Sequence, residues 1–194
     1  MSPVPGPVPG PVPAVLAAAP GREVPAVLAL GTNLGDRAAV LRSAVAALRA
    51  VAGVRVRAVS PVVETAPVGG VPQPDYLNAV VLVSTSLSPL ALLEACQAVE
   101  AAHGRDRSPA AVRWGARTLD VDVVDVAGLV AACPRLQLPH PGAARRAFVL
   151  APWHALDPAA RLPGPGGGAV ADLLAGAEDR DGVRPAADVL EGVL

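Results

Sequence analysis

The order in which apolar segments of two different periods follow one another constrains this fold more than any single residue. Ala26–Leu30 reads as a buried strand ended by Gly31-Thr32-Asn33-Leu34-Gly35, and Asp36 is a good N-cap for a helix running to about Val51. Val40, Leu41, Ala44, Val45 and Leu48 recur at helical spacing and give that helix one buried stripe. Val54, Val56 and Ala58 alternate with Arg55 and Arg57 as in a half-exposed strand, and Leu77–Thr85 forms a second strand after a Pro/Gly-rich loop at 61–75. A helix from about Pro89 to His103 and a strand over Thr118–Val126 complete the order strand-helix-strand-strand-helix-strand. That order predicts an α+β fold with a ferredoxin-like βαββαβ core, an antiparallel sheet with helices packed on it. A short apolar ribbon at roughly 128–138, a helix from about Ala144 to Leu156 and a short helix at 169–175 follow.

At the N-terminus, residues 1–23 repeat Pro, Val and Gly at a density that favours polyproline II and blocks the continuous apolar helix of a signal peptide. They are expected to form a disordered arm, with the domain over 24–176 and a tail of unassigned role over 177–194. A length of 194 residues fits one domain, and 52% hydrophobic content can bury a sizeable core although only Tyr76, Trp114, Phe148 and Trp153 are aromatic. No apolar run approaches the roughly 18 residues of a membrane span. A net charge of −1 argues against a dedicated nucleic-acid binder. Cys96 and Cys133 stand apart, without metal-ligand spacing, as expected of free thiols in the cytoplasm.

All sixteen basic residues are arginine, which removes Schiff-base chemistry and the lysine of the Gly-x-x-x-x-Gly-Lys phosphate loop. Any nucleotide must be held by arginine. In Arg113-Trp114-Gly115-Ala116-Arg117-Thr118-Leu119-Asp120-Val121-Asp122 a glycine-arginine loop runs into a strand whose two carboxylates, at i and i+2, share one face. Two such carboxylates, roughly 6.5–7 Å apart at Cα, can bracket hard cations, and magnesium with substrate phosphates is the natural partner. The alternative is the wet face of an edge strand. Against it, Val121, Val123 and Val124 mark a buried strand, while Asp125 has the opposite parity and reads as structural.

Arg105, Arg107, Arg113, Arg117, Arg135, Arg145 and Arg146 flank that strand, and their forks match polyphosphate oxygens. The segment 104–117 carries four arginines against one acid, Asp106, and has the length of a lid. Tyr76, Asn78 and Phe148 suit a planar heterocycle with hydrogen-bonding edges.

These strings, together with Gln73-Pro74-Asp75-Tyr76-Leu77-Asn78-Ala79 and Pro139-His140, resemble the 6-hydroxymethyl-7,8-dihydropterin pyrophosphokinases of folate biosynthesis over about residues 26–157. The resemblance implies a magnesium-dependent enzyme that moves the β,γ-diphosphate of ATP onto the pterin alcohol and releases AMP. It implies Asp120 and Asp122 as ligands of two magnesium ions, acting in catalysis with Arg107 and Arg117. ATP contacts would come from Gln97, Glu100, Arg107, Arg113, Trp114, Arg117, Arg135, Gln137, His140 and Arg146. The pterin would stack between Tyr76 and Phe148, with Asn78 reading its edge and Thr65, Pro67, Val68 and Trp114 around it. The partners implied are these two small molecules, with no nucleic acid or membrane, and a monomer is expected. Competing readings are a catalytically idle pterin or nucleotide binder and a two-metal phosphodiesterase; intact Asp120 and Asp122 favour the enzyme over the first, and scarce further ligands count against the second.

Overall fold

Pro13 leads into a single helical turn, α1 (Ala14–Ala17), and then β1 (Val24–Thr32) crosses the molecule to α2 (Arg37–Ala50). A strand run of β2 (Val54–Val59), β3 (Val63–Thr65) and β4 (Tyr76–Thr85) precedes α3 (Pro89–Ala102) and β5 (Asp120–Val126). Beyond these lie the ribbon β6 (Ala131–Ala132) and β7 (Gln137–Leu138), α4 (Ala147–Leu156), the pair β8 (Arg161–Leu162) and β9 (Gly168–Ala169), α5 (Val170–Ala175) and β10 (Arg184–Pro185). The computed structural model describes residues 12–67, 72–108, 115–186 and 189–190.

The helix starts follow from local chemistry. Asp36 Oδ1 accepts from Ala39 N at 2.9 Å and Ser88 Oγ accepts from Ala91 N at 3.2 Å, each satisfying a first-turn donor, and Pro89 stands where its missing N–H costs nothing.

β1 is central: it pairs antiparallel with β4 on one side and β5 on the other, and β2 and β3 lie along the far edge of β4. Leaving out β3 and β10, the sheet reads β2-β4-β1-β5, the ferredoxin-like order. One face packs Leu28, Leu30, Val121 and Val123 against Leu41, Val45, Leu48, Leu92 and Cys96 of α2 and α3. The other packs Val27, Val80 and Val124 against Leu150, Trp153, Leu162 and Val170. The sheet is therefore covered by helices on both faces, and the site forms where α4 leaves part of the second face open.

Several expectations are corrected. The 61–75 loop contains β3, which adds a short strand to the edge of β4. The expected helix from Ala144 starts at Ala147, after a 3-10 turn at Ala143–Arg145. The arm assigned to 1–23 is folded in its second half, because α1 sinks Leu16 into the core; residues 1–11 lie outside the described residues. The tail is built into the sheet through β10, which pairs with β3. A register shift between Val27 and Leu28 returns Val126 to the core face of Val121 and Val123, so Asp125 lies on the same side as Asp120 and Asp122, not the opposite one.

Candidate active site

The cleft originates in the pairing register. Across the ladder Asp120 faces Gly31 and Gly31 faces Asn78, while Asp122 faces Ala29. Residues opposite one another in register project to the same face, so two carboxylates and an amide look over a floor of Gly and Ala that fills little space. The result is a cavity of about 400 Å³ whose walls include Thr65, Tyr76, Arg117, Arg146, Phe148 and Asp179. Gly31 permits a close approach: a Cβ there would stand 3.1 Å from Asn78 Oδ1 and press on that amide.

At one end the carboxylates meet arginines. Arg117 Nη1 donates to Asp120 Oδ2 at 2.6 Å, and Arg105 Nη2 donates to Asp120 Oδ1 at 3.4 Å. Arg107 binds Glu100 instead, and Glu100, 1% exposed, also accepts from Val121 N at 2.9 Å. Burial pushes the Glu100 carboxyl up from the usual range, and its ties to Arg107 and Val121 oppose that shift. Glu100 thus anchors the start of β5 from α3.

Asp122 stands differently. Arg146 Nη1 and His140 Nε2 both stand 3.8 Å from its Oδ2, outside hydrogen-bond range. Although 38% of its side chain faces the cleft, desolvation first and the negative charge of Asp120 second raise its pKa to about 6. His140 is shifted down to about 4, by burial and then by Arg146. Its Nδ1 accepts from Gly142 N at 3.2 Å, so in the neutral ring the proton sits on Nε2, facing Asp122.

The other end is held by neutral hydrogen bonds. Asn78 Nδ2 donates to Thr65 Oγ1 at 2.9 Å, and Tyr76 Oη donates to Gln73 Oε1 at 3.2 Å. Phe148 opens α4, with the Arg146 guanidinium carbon 5.6 Å from its ring centroid. Asn33, 1% exposed, clasps both ends: Nδ2 donates to Gln73 Oε1 and to the Pro74 carbonyl at 3.0 Å, and Oδ1 accepts from Arg117 N at 2.8 Å.

Of the residues expected at the site, Asp120, Asp122, Arg117, Arg146, Thr65, Tyr76, Asn78 and Phe148 line one cavity, and His140 stands beside it. Arg107 and Glu100 are engaged with each other next to it. Arg135 points at Glu94 on α3, at 2.7 Å, Gln137 is exposed on β7, and Gln97 is half-buried on α3. Pro67 is half-buried, two residues beyond Thr65, with Ala66 between them in the lining. Val68, Arg113 and Trp114 lie outside the described residues. Asn33, Glu178 and Asp179 join the site without having been expected there, and Arg105, expected only as one of the flanking arginines, joins it through Asp120. Asn33 did carry a signal, as a polar residue directly after a buried strand. Nothing in the sequence signals that the tail reaches the cleft.

Two carboxylates on one strand face are a hard-oxygen donor pair suited to Mg²⁺, which keeps waters and takes only one or two carboxylates beside substrate phosphates. Among the described residues no group of three or more His, Cys, Asp or Glu side chains could hold a metal, so the pair would be completed by water and substrate phosphate oxygens.

A model of the family 7,8-dihydro-6-hydroxymethylpterin-pyrophosphokinase (HPPK) matches residues 27–158. The chain is similar to the 2-amino-4-hydroxy-6-hydroxymethyldihydropteridine pyrophosphokinase of Methylorubrum extorquens, 45% identical over 133 residues, 69% of this chain and 82% of that protein. The protein of that name from Mycobacterium bovis is 44% identical over 175 residues, 81% of this chain and 87% of its own. The crystal structure of wild-type Plasmodium falciparum HPPK-DHPS shares the fold, with a TM-score of 0.60 at 14% identity over 83% of this chain; the match spans 46% of that longer chain. By the family model and by these identities, the chain belongs to the 7,8-dihydro-6-hydroxymethylpterin-pyrophosphokinase family.

Proposed function

We propose that this protein transfers the β,γ-diphosphate of ATP to the hydroxymethyl oxygen of 6-hydroxymethyl-7,8-dihydropterin, releasing AMP, as a step of folate biosynthesis. The observation that carries this reading is the ladder row Asp120–Gly31–Asn78, which aims a carboxylate pair and a heterocycle-reading amide into one cavity.

The pterin ring fits between Tyr76 and Phe148, with its hydrogen-bonding edge toward Asn78 and Thr65. Arg117 and Arg105, already beside Asp120, are the groups to hold the β- and γ-phosphates in line with the attacking oxygen. Arg146 and the Nε2–H of neutral His140 face the same oxygens from the opposite wall. Asp120 and Asp122 would hold two Mg²⁺ ions, which supply charge neutralisation of the phosphates and Lewis acidity. Positioning and charge thus outweigh proton transfer. The hydroxyl proton leaves to water.

The working domain extends past the expected 24–176 through the tail to residue 186, because β10 closes the sheet edge beside Thr65. Among the described residues no helix is long and apolar enough to cross a membrane, and Cys96 and Cys133 are free, as thiols are in a reducing compartment.

Incubating the protein with MgATP and the reduced pterin alcohol, and following AMP by chromatography, tests the assignment. AMP formation that depends on the pterin is expected; equal AMP without pterin, or none with it, overturns it.

A further inference from the structure

α4 begins without a cap of its own. Its N-cap residue is Arg146, whose guanidinium has no acceptor and makes no capping contact. The Ala147 N–H is met instead from a distant part of the chain, by Asp179 Oδ1 at 2.9 Å. A carboxylate at this end is also favoured by the helix dipole. The turn it closes carries Phe148 and follows Arg146, and both line the cleft, as do Asp179 and its neighbour Glu178.

The same segment is anchored again on the opposite wall. Arg184 pairs with Glu64 in the β10–β3 ladder, and its Nη2 donates to Asp75 Oδ2 at 2.6 Å. Ala186 N donates to the Val62 carbonyl at 2.9 Å. Arg37 Nη1 reaches Glu64 Oε1 at 2.8 Å and the Asp75 carbonyl at 2.7 Å, tying α2 into the same junction. One stretch of tail therefore touches the α4 turn that presents Phe148 and the β3 and 72–75 elements that present Thr65 and Tyr76.

From this geometry we propose that residues 177–186 form a strap setting the width of the pterin slot, with Asp179 as the positioning residue that fixes the Phe148 ring opposite Tyr76. The inference rests on reading this cleft as the pterin site. Asp179 acts through the backbone of Ala147 and has no part in the chemical step. Removing the acceptor leaves a first-turn donor unmet and frees the turn, so one face of the pterin stack loses its register. Asp120, Arg105 and Arg117 stand on β5 and the loop before it and keep their grip on the nucleotide, so Arg146, next to the freed turn, is the one phosphate contact the change reaches and the ATP KM moves less than the pterin KM.

The test compares wild type, Asp179→Ala, Asp179→Asn and Arg184→Gln. The measurements are direct fluorescence titration with 6-hydroxymethyl-7,8-dihydropterin, KM for both substrates and thermal midpoints. Asp179→Ala is expected to raise the pterin KM and Kd roughly fivefold, about 1 kcal/mol at 1.4 kcal/mol per tenfold, with the ATP KM changed less than about twofold. Asp179→Asn, whose amide oxygen still accepts, should return the pterin value to near wild type. Arg184→Gln, at the other anchor, should shift it in the same direction as Asp179→Ala and by less. Unchanged pterin affinity in Asp179→Ala, equal losses for both substrates, or failure of Asp179→Asn to rescue overturns the strap. Should Asp179→Ala not fold, an Arg184→Gln protein with wild-type pterin affinity overturns it equally. Wild-type protein that binds no pterin overturns the assignment of the cleft and the strap with it, whereas wild-type binding with an unaffected Asp179→Ala defeats the strap alone.

Discussion

At the end of the cleft proposed for the pterin the side chains are fixed by neutral hydrogen bonds inside the fold, Asn78 to Thr65, Tyr76 to Gln73 and Asn33 to the Pro74 carbonyl. At the phosphate end they are fixed by charge, Arg117 and Arg105 on Asp120 and Arg107 on Glu100. Buried neutral pairs cost most when one partner is deleted, because the other is left dry and unmet. The pairs on Asp120 open on the cleft, where an incoming anion can replace the carboxylate, whereas Glu100, 1% exposed, costs more to leave unpaired. On the proposed function, the first end would recognise one planar shape and the second would pass arginines from protein carboxylates to a polyphosphate.

The largest effect is expected at Asp122, the carboxylate with no arginine in hydrogen-bond range. Asp122→Asn should lower turnover by about 100- to 1,000-fold, the scale of losing one preorganised electrostatic group, with the fold intact. Stability against pH sharpens the point. A carboxylate whose pKa is raised to about 6 binds its proton more readily folded than unfolded, so stability falls as pH rises from about 4 through about 6. Substituting Asn removes that slope. Thermal midpoints of the two proteins should converge at the acid end and diverge in favour of Asp122→Asn above pH 6; a wild type that is the more stable protein at neutral pH would contradict this ordering.

Next in size is the contrast between two arginines two residues apart. Arg105 is 15% exposed at its side chain and touches Asp120, whereas Arg107 is 53% exposed and touches Glu100. Arg105→Ala should cut kcat by about 100-fold and Arg107→Ala by less than about tenfold, appearing mainly in the ATP KM. Single-turnover and steady-state rates of both variants decide it, and the reverse order would return Arg107 to the catalytic role that the family resemblance gave it.

At the neutral end, Asn78→Ala should raise the pterin KM about tenfold, the worth of one good hydrogen bond to a buried edge, and leave the ATP KM alone. Because Thr65 Oγ1 loses its partner, the melting midpoint should also drop, at about 2–4 °C per kcal/mol for a chain of this size. A kinetic defect shared equally by both substrates would erase the distinction between the two ends.

What could be foretold tracks how local its cause is. The start of α2 lies in Asp36 and the stripe behind it, and the carboxylate face lies in the i, i+2 spacing of Asp120 and Asp122; both are set by neighbours in sequence. β3 is three residues in a proline-rich stretch and becomes a strand only because β4 offers it an edge. β10 depends in turn on β3, and the cap from Asp179 to Ala147 bridges elements with no local pattern linking them. That Arg105 rather than Arg107 lies beside Asp120 has a backbone cause: the chain turns at Gly104, φ +74°, and Arg105 N donates to the Glu100 carbonyl at 3.1 Å, which aims Arg105 back toward β5. The parity of Asp125 was lost to a single extra residue in β5, which no periodicity count registers.

The smallest effect concerns an arginine on the β6–β7 ribbon. Arg135 was expected to contact the nucleotide, yet its Nη2 lies 2.7 Å from Glu94 Oε1, with both side chains more than half exposed. A pair so placed is worth between zero and about 1 kcal/mol, so breaking it is within reach of a triphosphate that offers more oxygens in better geometry. If Arg135 does swing to the nucleotide, Glu94 is a competitor, and Glu94→Gln should lower the ATP KM by up to about twofold, the lower part of that range converted at 1.4 kcal/mol per tenfold. Arg135→Ala should raise it by a similar factor, and the double variant should match Arg135→Ala, because the competition disappears with the arginine. Neither change should reach the pterin KM, since Asn78 and Thr65 are held by bonds that involve no charge. A double variant that instead keeps the gain of Glu94→Gln would mean that Glu94 acts on the nucleotide through general field alone, and that Arg135 serves only to tie the β6–β7 ribbon to α3.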